Sequence, residues 1–131
     1  MGGRLLLALL GAPVAWTVHL LAAYVIVAAW CSAGWPGAGL AIGALTVVCA
    51  AAAVAAGMLA LRLWRRGQAR LVADAEPGGP EGWDARMGER GALFVFLAVV
   101  GLFMAALFTY LIVLQGVPPL LAPVCPATTM P

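Results

Sequence analysis

The chain has no lysine, and between Arg4 and Arg62 it has no charged residue of either sign. Only 9% of its 131 residues are charged, and 65% are hydrophobic. A water-soluble domain needs roughly a quarter of its residues charged to cover its surface. The sparse charge therefore excludes a soluble globule and places the chain in the membrane class. Its mean hydropathy of +1.06 agrees. The net charge of +2 is too small to imply a nucleic-acid partner. There is one histidine, His19, and no acidic residue inside any apolar segment. A bis-histidine heme within one chain and an intramembrane carboxylate relay are both excluded. Nothing resembles a phosphate loop, a metal-ligand set or a nucleophile beside its base, so no enzymatic site of the chain's own is expected.

What is present is three apolar runs, and about 20 such residues cross a hydrocarbon core of about 30 Å. The first runs from about 5 to 30, too long for the apolar region of a cleaved signal peptide. Pro13 lies inside it and removes a backbone donor there, which predicts a modest kink. The uncharged break Cys31–Gly37 combines glycine, proline and serine, the residues of a turn. Its short length makes the second segment, about 38–61, an antiparallel neighbour. That segment is alanine- and glycine-rich. Gly39 and Gly43 form a GxxxG, and Gly43, Thr46, Ala50, Ala53 and Gly57 continue a stripe of small residues. Small residues bring helix backbones together in lipid, where burial of apolar side chains offers little drive. This helix is expected at the packed centre, continuing past the bilayer to about Ala75. A polar loop, about 62–90, holds all five acidic residues and six of the seven arginines, with a flexible break at Pro77–Pro80. The third segment spans about 91–114. Ala98, Gly101 and Ala105 are its small stripe, and Phe94, Phe96, Phe103, Phe108 and Tyr110 supply bulk for lipid or a partner. The tail, 115–131, is proline-rich and uncharged, and is read as extended along the membrane surface.

The predicted fold is an all-α membrane protein with three transmembrane helices in one domain. The arginine-rich loop belongs in the cytoplasm by the positive-inside rule. The N-terminus, with Arg4, follows it inside, and the C-terminus lies outside. Arg62, Arg65, Arg66 and Arg70 serve as anchors and as candidate contacts for anionic lipid head groups.

Two sets of residues can carry chemistry. Cys31 and Cys125 fall on the same outer, oxidising side. They are read as a disulfide closing a long loop, as two free thiols, or as Cu(I) ligands together with Met58 or Met130. Cys49, at bilayer depth, reads as a small buried apolar residue. His19 lies on a stripe with Ala8, Ala12, Ala15 and Ala22, so it should point into a helix contact. Its functional readings are a heme ligand, a quinone hydrogen-bond donor or a proton relay. The simpler reading is an interhelical hydrogen bond to Thr46, Thr17, Tyr24 or a partner chain.

The stretch GAPVAWTVHLLAAYVIVAAWC, with GLFMAALFTYLIVLQGVPPLLAPVC near the end, resembles small three-helix bacterial membrane proteins associated with cytochrome c oxidase and related heme–copper oxidases. The likeness covers helices 1 and 3 and the two outer cysteines. It implies an accessory, supernumerary subunit of a respiratory complex in the bacterial inner membrane. Such a subunit has no redox centre of its own, with heme and copper held by larger integral membrane partners. It also favours the Cys31–Cys125 pairing and assigns His19 no catalytic role. Two other functions stay open: an assembly or copper-delivery factor for the oxidase, and a small homo-oligomeric transporter or channel.

Overall fold

A computed structural model describes residues 2–74, 85–121 and Cys125, with side chains given for 3–69, 91–119, Leu121 and Cys125. The Pro77–Pro80 break and Met130 lie outside the described residues. Three long helices form the structure: α1 (Gly2–Ala33), α2 (Ala38–Asp74) and α3 (Ala85–Gly116), followed by a short α4 (Pro118–Leu121). No strand occurs among the described residues. Each of the three contains a stretch long and apolar enough to cross a membrane: Gly3–Ala33, Ala38–Ala69 and Gly91–Gly116. The chain is a multi-pass membrane protein.

The helices outrun the apolar segments read from sequence. At 1.5 Å per residue the 32 residues of α1 make a rod of about 48 Å, well beyond a hydrocarbon core of about 30 Å. Either tilt or projection past the core accommodates the excess. In α2 the helix continues through the arginines to Asp74, with no proline to stop it and Gly67 tolerated within it. α1 runs through Pro13 as one continuous element. The Thr17 hydroxyl donates to the Pro13 carbonyl at 2.9 Å. Gly34 ends the helix: its φ of 65° lies in the left-handed region, and its N–H bonds the Trp30 carbonyl at 3.0 Å. A residue with a Cβ is strained in that conformation, which is why glycine stops helices this way.

The core is made of small residues. One cluster joins Ala12 and Ala15 of α1, Cys49 and Ala53 of α2, and Ala105 and Ile112 of α3. A second, nearer the arginines, joins Ala8, Ala60, Leu63 and Ala98. All three helices contribute, so each packs on both others. The predicted stripes on α1 and α3 are the buried faces: Ala8, Ala12, Ala15 and His19 on one, Ala98, Gly101 and Ala105 on the other. Gly39 of the GxxxG is not a contact, since a Cβ built on it meets nothing within 4 Å, but the stripe that continues from it is buried at Ala53 and Gly57. The close approaches lie further along. A methyl on Gly11 would stand 2.9 Å from the Ala56 methyl, and one on Gly57 2.9 Å from the Ala105 methyl. On Gly101 it would stand 3.0 Å from the Ala8 carbonyl oxygen, which is backbone and cannot step aside.

The tail also differs from expectation. Residues Pro118–Leu121 form one helical turn, α4, instead of extended chain. Proline is tolerated in a first helical turn, where its missing N–H has no intrahelical acceptor.

These contacts predict unequal costs for the same substitution. Gly101→Ala should destabilise the bundle by about 1–3 kcal/mol through overpacking against backbone. Gly39→Ala should change stability by less than about 0.5 kcal/mol. Reversible unfolding in mixed detergent checks both, and equal effects would contradict the packing described.

A buried histidine at the three-helix junction

The stripe that carries the α1 alanines into the core carries His19 with them, and its side chain is fully buried at 0% exposure. Across the interface it meets Thr46 of α2, with His19 Nε2 3.0 Å from Thr46 Oγ1. The Thr46 hydroxyl itself donates to the Ile42 carbonyl one turn back, at 2.8 Å. A hydroxyl has a single proton. With that proton committed to Ile42, Thr46 is the acceptor and Nε2–H the donor. The neutral ring then carries its lone pair on Nδ1, which has no hydrogen-bond partner. The third helix closes the site. Gly116, near the end of α3, packs directly against the Thr46 side chain.

One turn before His19, Trp16 stacks on Phe108 of α3 at a centroid distance of 5.4 Å and a tilt of 46°. Its indole N–H is also buried without a partner. The site thus pairs two buried polar groups with opposite needs: an acceptor at His19 Nδ1 and a donor at Trp16 Nε1. Thr46 was among the partners expected for His19; Tyr24 is 76% exposed and faces outward. Trp16 and Gly116 escaped the sequence reading. Trp16 sits three residues before His19, so helical spacing places it on an adjoining face. Gly116 has no such signal, because its approach depends on how far α3 extends.

Beyond this site the cysteines resolve into a bond and a free thiol. Cys31, near the end of α1, is disulfide-bonded to Cys125, with Cα atoms 5.5 Å apart and a sequence separation of 94. The sulfurs are joined to each other, so neither offers the thiolate that Cu(I) ligation requires. Cys49 is free and buried in the apolar cluster with Ala53 and Ile112, the environment of a small hydrophobe. Among the described residues, no three His, Cys, Asp or Glu side chains gather in a metal-binding group. Arg62, Arg65 and Arg66 are exposed on the far part of α2, while the Arg70 side chain lies outside the described residues.

No protein-family model, curated protein or solved structure matches the chain.

Two outcomes follow from this geometry. Thr46→Val leaves the Nε2–H donor buried without an acceptor. It should cost about 0.5–2 kcal/mol, and His19→Leu in the same chain should recover part of that loss, giving a measurable coupling in a double-mutant cycle. Cys31→Ser opens a long loop and should lower stability by about 2–4 kcal/mol, read as a fall in thermal midpoint matched by reductant treatment of the unaltered chain.

Proposed function

We propose that this chain is an accessory subunit of a respiratory membrane complex of the cytochrome c oxidase type. In this reading it stabilises a larger subunit and does no chemistry itself. The observation that carries the packing role is a seam on the outward side of α3. Leu93, Phe96, Phe103, Leu107, Tyr110 and Leu114 fall at alternating three- and four-residue spacings, with Val100 completing the series. Phe96, Phe103 and Tyr110 are 63%, 73% and 62% exposed. Spacing that averages 3.5 residues keeps one seam facing a partner helix through a left-handed crossing. Large knobs repeat along it while the chain's own core uses small residues, so this face suits a transmembrane helix of another subunit.

The placement in a respiratory complex rests on the resemblance of the α1 and α3 segments to heme–copper oxidase-associated proteins. The orientation has the arginine end of the bundle in the cytoplasm and the disulfide end outside, in a bacterial inner membrane. It is supported by the arginine bias and by a disulfide that suits an oxidising compartment. His19 acts in this reading as a polar lock between α1 and α2. Heme and copper belong to the partner subunits. The cysteine pairing weighs against a copper-delivery role for Cys31 and Cys125.

Purification from native membranes in mild detergent, followed by mass spectrometry, tests the proposal. Larger respiratory subunits should co-purify, and Phe96→Ala with Phe103→Ala should reduce their recovery at least tenfold. Both side chains are exposed, so the isolated variant should keep its own stability. Recovery of a defined homo-oligomer with no other subunit would overturn the reading.

A further inference from the structure

A second outward feature lies between α2 and α3, on the side to which α1 contributes no residue. It is an open apolar groove of about 470 Å³, lined on α2 by Val54, Met58 and Leu61 and on α3 by Leu102, Ala106 and Val113, with Gly57 and Ala105 among its other residues. The close approach of Gly57 to Ala105 keeps the two helices near each other there, and small Ala106 leaves the depth unfilled. From Leu102 to Val113 the groove extends about 16 Å along α3. That is close to half of a hydrocarbon core of about 30 Å, the depth of one leaflet.

Its inner end is charged. Residues four apart on a helix share a face. Arg62 follows Met58 by four, and Arg65 follows Leu61 by four, so two guanidiniums continue the line of the groove. Both are exposed. The uncharged stems of these arginines can lie along apolar surface while their heads reach the interface. An apolar channel of one-leaflet length that ends at two cations matches a molecule with a long hydrocarbon chain and an anionic phosphate head. A soluble phosphate has nothing to place in the groove. A partner helix that crosses the membrane needs about 30 Å of matching surface, about twice what the groove offers.

We propose that this groove is a binding site for one anionic phospholipid, its acyl chain along Val54–Leu61 and Leu102–Val113 and its phosphate on Arg62 and Arg65. The site is built from this chain's own residues; Tyr110 belongs both to its lining and to the outward seam of α3, so a partner helix on that seam would border the bound lipid.

Native mass spectrometry of the full chain, released from detergent at low ionic strength, provides the test. The probes are phosphatidylglycerol and phosphatidylcholine with identical acyl chains. The unaltered chain should retain one phosphatidylglycerol, with a preference over phosphatidylcholine of roughly thirty-fold for two interfacial arginines. Arg62→Gln with Arg65→Gln should abolish that preference and leave weak retention of both lipids. Ala106→Phe fills the groove and should lower retention of both. Inorganic phosphate should give no adduct. A circular dichroism spectrum of each variant confirms that helix content is kept. Equal retention of the two lipids by the unaltered chain would overturn the proposal. So would unchanged lipid retention by Ala106→Phe, or a phosphate adduct that survives it.

Discussion

Lipid tails are as apolar as leucine, so nothing in a membrane pushes greasy side chains inward, and every other feature of this protein answers to that constraint. Helices associate here by bringing backbones close enough for dispersion contacts and by a few polar bonds. Gly11, Gly57 and Gly101 provide the close approaches, and none of them has room for a further methyl group without a shift of its neighbours. The consequence is an inverted molecule. Alanines are buried at Ala8, Ala12, Ala53, Ala60 and Ala98, while Leu40, Phe103 and Leu121 are among the most exposed side chains.

Within that small-residue core, one side-chain hydrogen bond crosses from helix to helix among the described residues. An unpaired imidazole is costly in an apolar interior. His19 meets that cost with Thr46, and Thr46 in turn is oriented by Ile42. The order matters. Because the threonine spends its proton on its own helix, the histidine must donate, and its tautomer is decided by the Ile42 carbonyl that the threonine bonds. A polar bond with a defined donor also fixes rotation and depth of α1 against α2. A stripe of alanines specifies these only weakly, since one alanine replaces another at the next turn. Gly116 lets α3 close over the same point. The disulfide then acts beyond the end of α3, joining the tail to α1 at Cys31. The bundle is therefore held at separate levels by separate means: methyl contacts near the arginines, the His19–Thr46 bond further along, and a covalent link at the far end.

Much of this was readable from the chain. Long uncharged runs have only one structural solution in lipid, the helix, because each backbone group must be satisfied within its own segment. That is why three helices and the turn at Cys31–Gly37 follow directly. The stripes on α1 and α3 were readable because alanine, glycine and histidine recur there among larger residues, so the contrast marks a face. On α2 small residues occur on every side. The predicted stripe is met at Thr46, Ala53 and Gly57, whereas Gly39 at its start is not where the helices close up. Ile42, Cys49 and Ala56 take buried positions that no contrast in size announces. The helical turn Pro118–Leu121 was hidden for a different reason. Paired prolines oppose a helix interior but not a helix start, and only the direction of the following residues distinguishes the two.

The sequence by itself determined the class of the protein, the number of spans, the inward face of α1 and Cys31 and Cys125 as a possible pair. These depend on hydropathy and on period, which are properties of one segment at a time. Tertiary structure decided that Gly11 packs closely while Gly39 does not, which ring nitrogen of His19 donates, that Gly116 closes on Thr46, and where a groove opens beside Arg62 and Arg65. Each of these depends on the relative register of two or three helices. Register is a property of the assembled bundle, and no periodicity within a single segment encodes it.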